Sequence, residues 1–103
     1  MRNLMLITLS ALLLGGCTFV KLSRGGENVA ILQASEVGGC TADGNITVTV
    51  TNKVVVSRQP ARVAQDLRTL ARNRAAERGA DTLVATSDPR NGEQSFNRYR
   101  CRR

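Results

Sequence analysis

Three cysteines, eight carboxylate side chains and a large excess of arginine are the groups in this 103-residue chain with chemistry to offer. Histidine is absent, which removes the commonest general acid or base and the commonest metal ligand. The candidates for proton transfer are Glu36, Asp43, Asp81 and Asp88, each in or near a turn-forming stretch. None has a partner base or an oxyanion-forming arrangement beside it, so catalysis is not expected. Cys17, Cys40 and Cys101 include no C-x-x-C pair, and nothing flanking them lowers a thiol pKa in an obvious way. Two distant cysteines without histidine make a poor metal site. No metal and no cofactor is expected.

Charge points to a different kind of function. Lys and Arg number 15 against 8 Asp and Glu, a formal net charge of +7. A pI near 10.7 raises the question of nucleic acid. The basic residues are scattered, however, and Phe19, Phe96 and Tyr99 are too few aromatics to stack bases. Anionic lipid head groups, lipopolysaccharide phosphates or an acidic protein surface fit better, and a basic surface with no specific partner is the plain alternative. The most concentrated feature is the alternation Arg98, Arg100, Arg102 near the C-terminus. It is a candidate binding surface, and equally a protected sheet edge, since charges on an edge strand discourage aggregation.

The N-terminus reads as an export signal. Met1-Arg2-Asn3 is a short positive start, Leu4 to Leu14 is apolar except for Thr8 and Ser10, and Gly15-Gly16-Cys17 closes with small residues. The apolar run of roughly ten residues is too short for a bilayer core that needs about 20. Leu14-Gly15-Gly16-Cys17 resembles the lipobox of bacterial lipoproteins, with Gly15 in place of the more usual Ala or Ser. The resemblance implies cleavage before Cys17 and acylation of its thiol; an ordinary signal peptide with a coincidental cysteine is the alternative. Several acyl chains anchor stably where a single one does not. Thr18 rather than Asp after the cysteine implies, again by resemblance, the outer membrane, facing the periplasm.

With Cys17 assigned to lipid, Cys40 and Cys101 remain as an even pair in an oxidising compartment, where a disulfide is the default. Closing a loop of about 60 residues stabilises a fold by roughly 4 kcal/mol in the chain-entropy model, which matters to a domain this small.

The elements that must position these residues follow from periodicity. Thr18 to Asn28, with Ser23-Arg24-Gly25-Gly26, reads as a tether, and Val29 to Ala34 as a first strand. Val37-Gly38-Gly39-Cys40 and Asp43-Gly44 carry turn signals. From Asn45 to Val56, β-branched residues alternate with period two, broken at Asn52, which predicts a strand with Ile46, Val48 and Val50 inward and the threonines outward. Pro60 to Arg78 is a helix bounded by Pro and Gly79. Its apolar stripe is Val63, Ala64, Leu67, Leu70, Ala71 and Ala75; Arg62, Asp66, Thr69, Arg72, Asn73 and Glu77 fill the other side. Arg62, Arg68, Arg72, Arg74 and Arg78 form either a binding face or, more ordinarily, a solvated face with local ion pairs such as Arg62–Asp66. Thr82 to Thr86 is a short buried strand, Ser87 to Gly92 a turn-rich connection, and Ser95 to Arg102 the last strand. In it Asn97, Tyr99 and Cys101 share one side and Phe96, Arg98, Arg100 and Arg102 the other; since Cys101 must face Cys40 if they pair, the arginine row is expected to point to solvent.

The predicted fold is α+β: a small antiparallel or mixed sheet of about four strands, one helix packed on it, and one disulfide. Its partition is a signal peptide over 1–16, the lipidated cysteine and tether over 17–28, and the domain over 29–103.

The chain resembles a family of short bacterial lipoproteins known as domain of unknown function 4156. The matching pieces are Cys17-Thr18-Phe19-Val20-Lys21-Leu22, Val37-Gly38-Gly39-Cys40, the run from Asn73 to Val84, and Tyr99-Arg100-Cys101. The helix-to-strand portion also looks like the globular domain of the Rcs-pathway envelope-stress sensor family, which has more cysteines and a long proline-rich linker that this chain lacks. Anchoring, charge and the lack of catalytic chemistry lead to the expectation of a non-enzymatic envelope lipoprotein that binds a protein or an anionic lipid; the sensor resemblance implies a stress sensor or regulator as the alternative.

Overall fold

The structure is a computed structural model and describes residues 20–50 and 60–101. Four strands and one helix follow in the order β1 (Ala30–Leu32), β2 (Thr41–Thr49), α1 (Pro60–Glu77), β3 (Thr82–Ala85) and β4 (Glu93–Arg100). Short 3-10 turns stand on either side of β1, at Gly26–Asn28 and Ala34–Glu36.

The strands form one mixed sheet in the order β1-β3-β4-β2. β1 lies parallel to β3, and β4 is antiparallel to both β3 and β2. The expected α+β fold, with one helix on a four-stranded mixed sheet, is the one observed.

Local chemistry accounts for the elements. Proline at the start of α1 gives up no intrahelical bond, because the first N–H groups of a helix have no partner there. At its other end Gly79 takes a φ of 81°. Its N–H bonds to the Ala76 carbonyl, and the Ala80 N–H reaches back to Ala75 at 3.0 Å. This paired closure satisfies carbonyls that would otherwise be left open. The β3–β4 hairpin turns on Asn91-Gly92, both at positive φ, with Arg90 and Glu93 bonded to each other through both backbone groups. Two left-handed residues at the turn match the right-handed twist of the strands they join.

The core lies between α1 and one face of the sheet. Val63, Leu67, Ala71 and Ala75 of the helix meet Val29, Val48, Val50, Leu83 and Phe96, with Ala80 beside them. Ala71 and Ala75 are fully buried; such small side chains let the helix axis approach the sheet closely, and Phe96 and Leu67 fill the remaining volume. Ile31, Ile46, Leu70 and Ala76 border the cluster. As expected, Val48 and Val50 are buried and Thr47 and Thr49 exposed.

Several expectations need correction. β2 begins at Thr41, so Asp43-Gly44 is a bulge inside a strand and not a turn before it: the pairing register shifts between Ala42 and Asn45. β4 is an interior strand between β3 and β2, so its arginines do not protect an edge. Phe96 and Arg98 pair in register with Ala85 and Leu83, which puts Arg98 on the helix side of the sheet, largely out of solvent, while Arg100 beyond it stays exposed as expected. Asp66, expected on the polar side of α1, is 5% exposed. β1 is also shorter than expected, with Ala34 in the turn that follows. The continuation of the β-branched run beyond Val50, the segment read as a signal peptide, Cys17 and Arg102 lie outside the described residues.

Candidate functional site

Six of the residues singled out in the sequence, Cys40, Asp43, Asp81, Arg98, Arg100 and Cys101, lie at one end of the sheet, where β2 begins and β4 ends. The bulge in β2 decides what happens there. Gly44 adopts a φ of 100°, a left-handed conformation that glycine takes without steric cost. The bulge turns the Asp43 carbonyl toward β4, and Arg98 donates to that oxygen from Nε at 3.0 Å and from Nη2 as well. A Cβ on Gly44 would lie 2.6 Å from Arg98 Nη2, so the missing side chain is also the space the guanidinium occupies.

The Asp43 side chain serves a second arginine. Its Oδ1 accepts a bond from Arg100 Nη2 at 3.0 Å, and its Oδ2 lies 3.9 Å from Arg98 Nε. The Arg98 side chain is 12% exposed and the Arg100 side chain 56%. Arg98 is thus a structural group seated at the margin of the core, and Arg100 keeps a face toward solvent. Two guanidinium groups against one carboxylate leave the cluster with one net positive charge, much less than a free row of arginines would present.

Beside this cluster Cys40 and Cys101 form the expected disulfide, with an S–S distance of 2.00 Å and Cα atoms 4.4 Å apart. Asp81, at the start of β3, ties the neighbouring strands to it. Its carboxylate accepts the Cys101 N–H at 2.8 Å and the Thr82 hydroxyl at 3.0 Å. Its own N–H donates to Tyr99, and its carbonyl accepts from Ala30. One residue therefore joins β1, β3, β4 and the disulfide. A carboxylate engaged in this way holds structure together.

The other carboxylates named as acid/base candidates lie apart. Glu36 accepts the Gln33 N–H at 2.8 Å and caps the 3-10 turn at Ala34–Glu36. Asp88 is exposed in the hairpin connection, where a shallow depression of about 500 Å³ is lined by Ser87, Asp88, Arg90, Asn91, Glu93 and Ser95. Among the described residues no three His, Cys, Asp or Glu side chains cluster as metal ligands. No described helix is long and apolar enough to cross a membrane.

A second constellation was not anticipated from the sequence. Asn73, on the C-terminal half of α1, clamps the segment leading into β1: its Oδ1 accepts the Ser23 N–H at 2.7 Å and its Nδ2 donates to the Lys21 carbonyl at 2.8 Å. Arg72, the preceding residue, donates from Nε to the Val29 carbonyl at 2.9 Å. Gly25 passes so close to Ala76 that an added Cβ would stand 3.1 Å from the alanine methyl. The segment read as a tether is bound to the helix from Lys21 onward. The readable signal was Asn73 itself, a poor helix former placed mid-helix, together with the glycine pair that permits close approach.

The family model for domain of unknown function DUF4156 matches residues 20–101. The chain belongs to that family. The DUF4156 match takes in both disulfide cysteines, Asp43, Asp81, Arg98, Arg100 and the Asn73-clamped segment, and it begins after Cys17. No curated protein and no solved structure matches the chain. Over the matched residues this chain is a disulfide-closed α+β unit, and the family's description carries no activity.

Proposed function

We propose that this protein is a non-enzymatic lipoprotein of the bacterial envelope, exported, acylated on Cys17 and held in the outer membrane facing the periplasm, where its basic surface engages an anionic partner. The lipobox-like sequence before Cys17 supports the anchor, and the disulfide fits an oxidising compartment. The observation that carries the binding role is the charge left over on the surface. The ion pairs that Arg98 and Arg100 make with Asp43 occupy two of the cations, while Lys21, Arg24, Arg68, Arg74, Arg78 and Arg90 are exposed and form no ion pair among the described residues. The carboxylates best placed for catalysis, Asp43 and Asp81, are committed to structural bonds, which supports a role without chemistry.

The test is in-cell photo-crosslinking from positions 74 and 100 in turn, with mass spectrometry of the trapped species. Recovery of an acidic protein or an anionic lipid from either position is the expected result. Species in proportion to envelope abundance, with no preference for anionic ones, would remove the binding role. Hydrolase activity of the purified mature protein on envelope substrates would overturn the non-enzymatic reading. A deletion strain unable to mount a transcriptional response to envelope damage would favour a sensor in its place.

A further inference from the structure

The Asn73 clamp fixes where the domain sits relative to its anchor. Lys21 is bound to α1 through its carbonyl, and only four residue steps separate it from Cys17. Fully extended, four residues span about 14 Å. The domain therefore has no long leash. The part of its surface around the clamp stays close to the acylated cysteine, and the opposite end of the sheet stays away.

The chemistry of the near surface is consistent with that placement. Lys21 and Arg24 on the clamped segment, Arg74 directly after the clamp residue, and Arg78 just past the end of α1 are all exposed. None forms an ion pair among the described residues. The exposed carboxylates of the same region are Glu27 and Glu77, so positive charge prevails. Arg74 and Arg78 also offset the negative end of the helix dipole, a role that needs neither Lys21 nor Arg24. Charges held within the Debye length of a lipid surface, about 8 Å at physiological ionic strength, feel its potential with little screening.

We infer that the anchor and the clamp together hold the domain in one orientation on the membrane. Lys21, Arg24, Arg74 and Arg78 rest on the anionic phospholipid head groups of the leaflet that carries the acyl chains. The β3–β4 hairpin, at the far end of the strands, is directed away from that leaflet. This inference rests on acylation of Cys17.

The test uses the full lipoprotein purified from membranes and reconstituted in vesicles of phosphatidylethanolamine with or without phosphatidylglycerol. Intact mass first establishes whether acyl chains are present. A fluorophore is then placed through Asn28→Cys or Asp88→Cys, and quenching by a head-group-attached quencher is measured. With phosphatidylglycerol present, the label at position 28 is quenched severalfold more than the label at position 88. Replacing Lys21, Arg24, Arg74 and Arg78 by Ser, raising salt, or omitting the anionic lipid brings the two close to parity, with the thermal unfolding of the four-serine variant confirming that it is folded. Equal quenching at the two positions in acylated protein overturns the orientation alone. A preference for position 28 that persists without anionic lipid overturns the head-group contact. A mass without acyl chains removes the anchor, and the orientation falls with it.

Discussion

Arg98 Nε donates to the backbone carbonyl of Asp43 at 3.0 Å, so the strongest hold on this guanidinium comes from the main chain of a bulge and not from a carboxylate. The distinction has measurable consequences. Asp43→Asn keeps the carbonyl and should cost less stability than Arg98→Ala, which empties a nearly buried site and frees the bulge. The expected loss for Arg98→Ala is about 2 kcal/mol, the scale for a hydrogen bond from a charged group whose acceptor is left unsatisfied. Arg100→Ala, at a mostly exposed position, should cost less than about 1 kcal/mol. Urea denaturation of the three variants checks the order; an Arg100 effect equal to that of Arg98 would contradict it.

Gly44→Ala tests the bulge from the other strand. The new methyl group must be accommodated at a φ of 100° and within 2.6 Å of Arg98 Nη2. Strain of this kind costs on the order of 1–3 kcal/mol. If the methyl displaces the guanidinium, the double variant Gly44→Ala with Arg98→Ala loses less than the sum of the single losses, which a double-mutant cycle in urea reads directly.

The disulfide joins residues 61 positions apart. Replacing Cys40 and Cys101 together by Ser should remove about 4 kcal/mol in the chain-entropy model. Thermal unfolding of the oxidised protein and the double variant measures it, and a midpoint unchanged by the substitution would show that the remaining core suffices.

Asn73→Ala should release the segment from Lys21 to Asn28 without unfolding the sheet. Two hydrogen bonds are lost, each worth about 1 kcal/mol net. Amide hydrogen exchange distinguishes this local effect from a global one: the Ser23 amide loses protection, while amides of β4 keep theirs. Loss of protection in β4 to the same degree would mean that the clamp supports the whole domain.

The parts of this fold that were legible in the sequence are those written in local periodicity. Ile46, Val48 and Val50 announce a strand with one buried face, and Pro60, the alanine stripe and Gly79 delimit a helix. Pairing of Cys40 with Cys101 followed from compartment and count. Strand order was not legible, because no local pattern says that β4 inserts between β3 and β2. The misplacement of Arg98, expected in solvent, followed from that. Alternation correctly separated Phe96, Arg98 and Arg100 from Asn97 and Tyr99, but which side meets the helix is settled by long-range pairing. Asp43-Gly44 shows the same ambiguity at shorter range: the dipeptide has the chemistry of a turn, and a bulge uses that same chemistry inside a strand. The Asn73 clamp joins residues about 50 positions apart through a side chain and two backbone groups. Periodicity carries no record of such a contact.

The disulfide divides the chain into two mechanical parts. Everything from β2 to β4 lies inside the covalent ring closed by Cys40 and Cys101, while β1 and the clamped segment before it lie outside. A tensile load applied from the N-terminal side reaches the Asn73 bonds first and the short β1–β3 pairing next. Both can yield while the ring keeps its ends joined. The domain is built like a buckled loop on a detachable strap: a pull long enough to peel the strap leaves the remaining strands within reach of re-pairing, so recovery after the force is removed needs only the strap to lie down again.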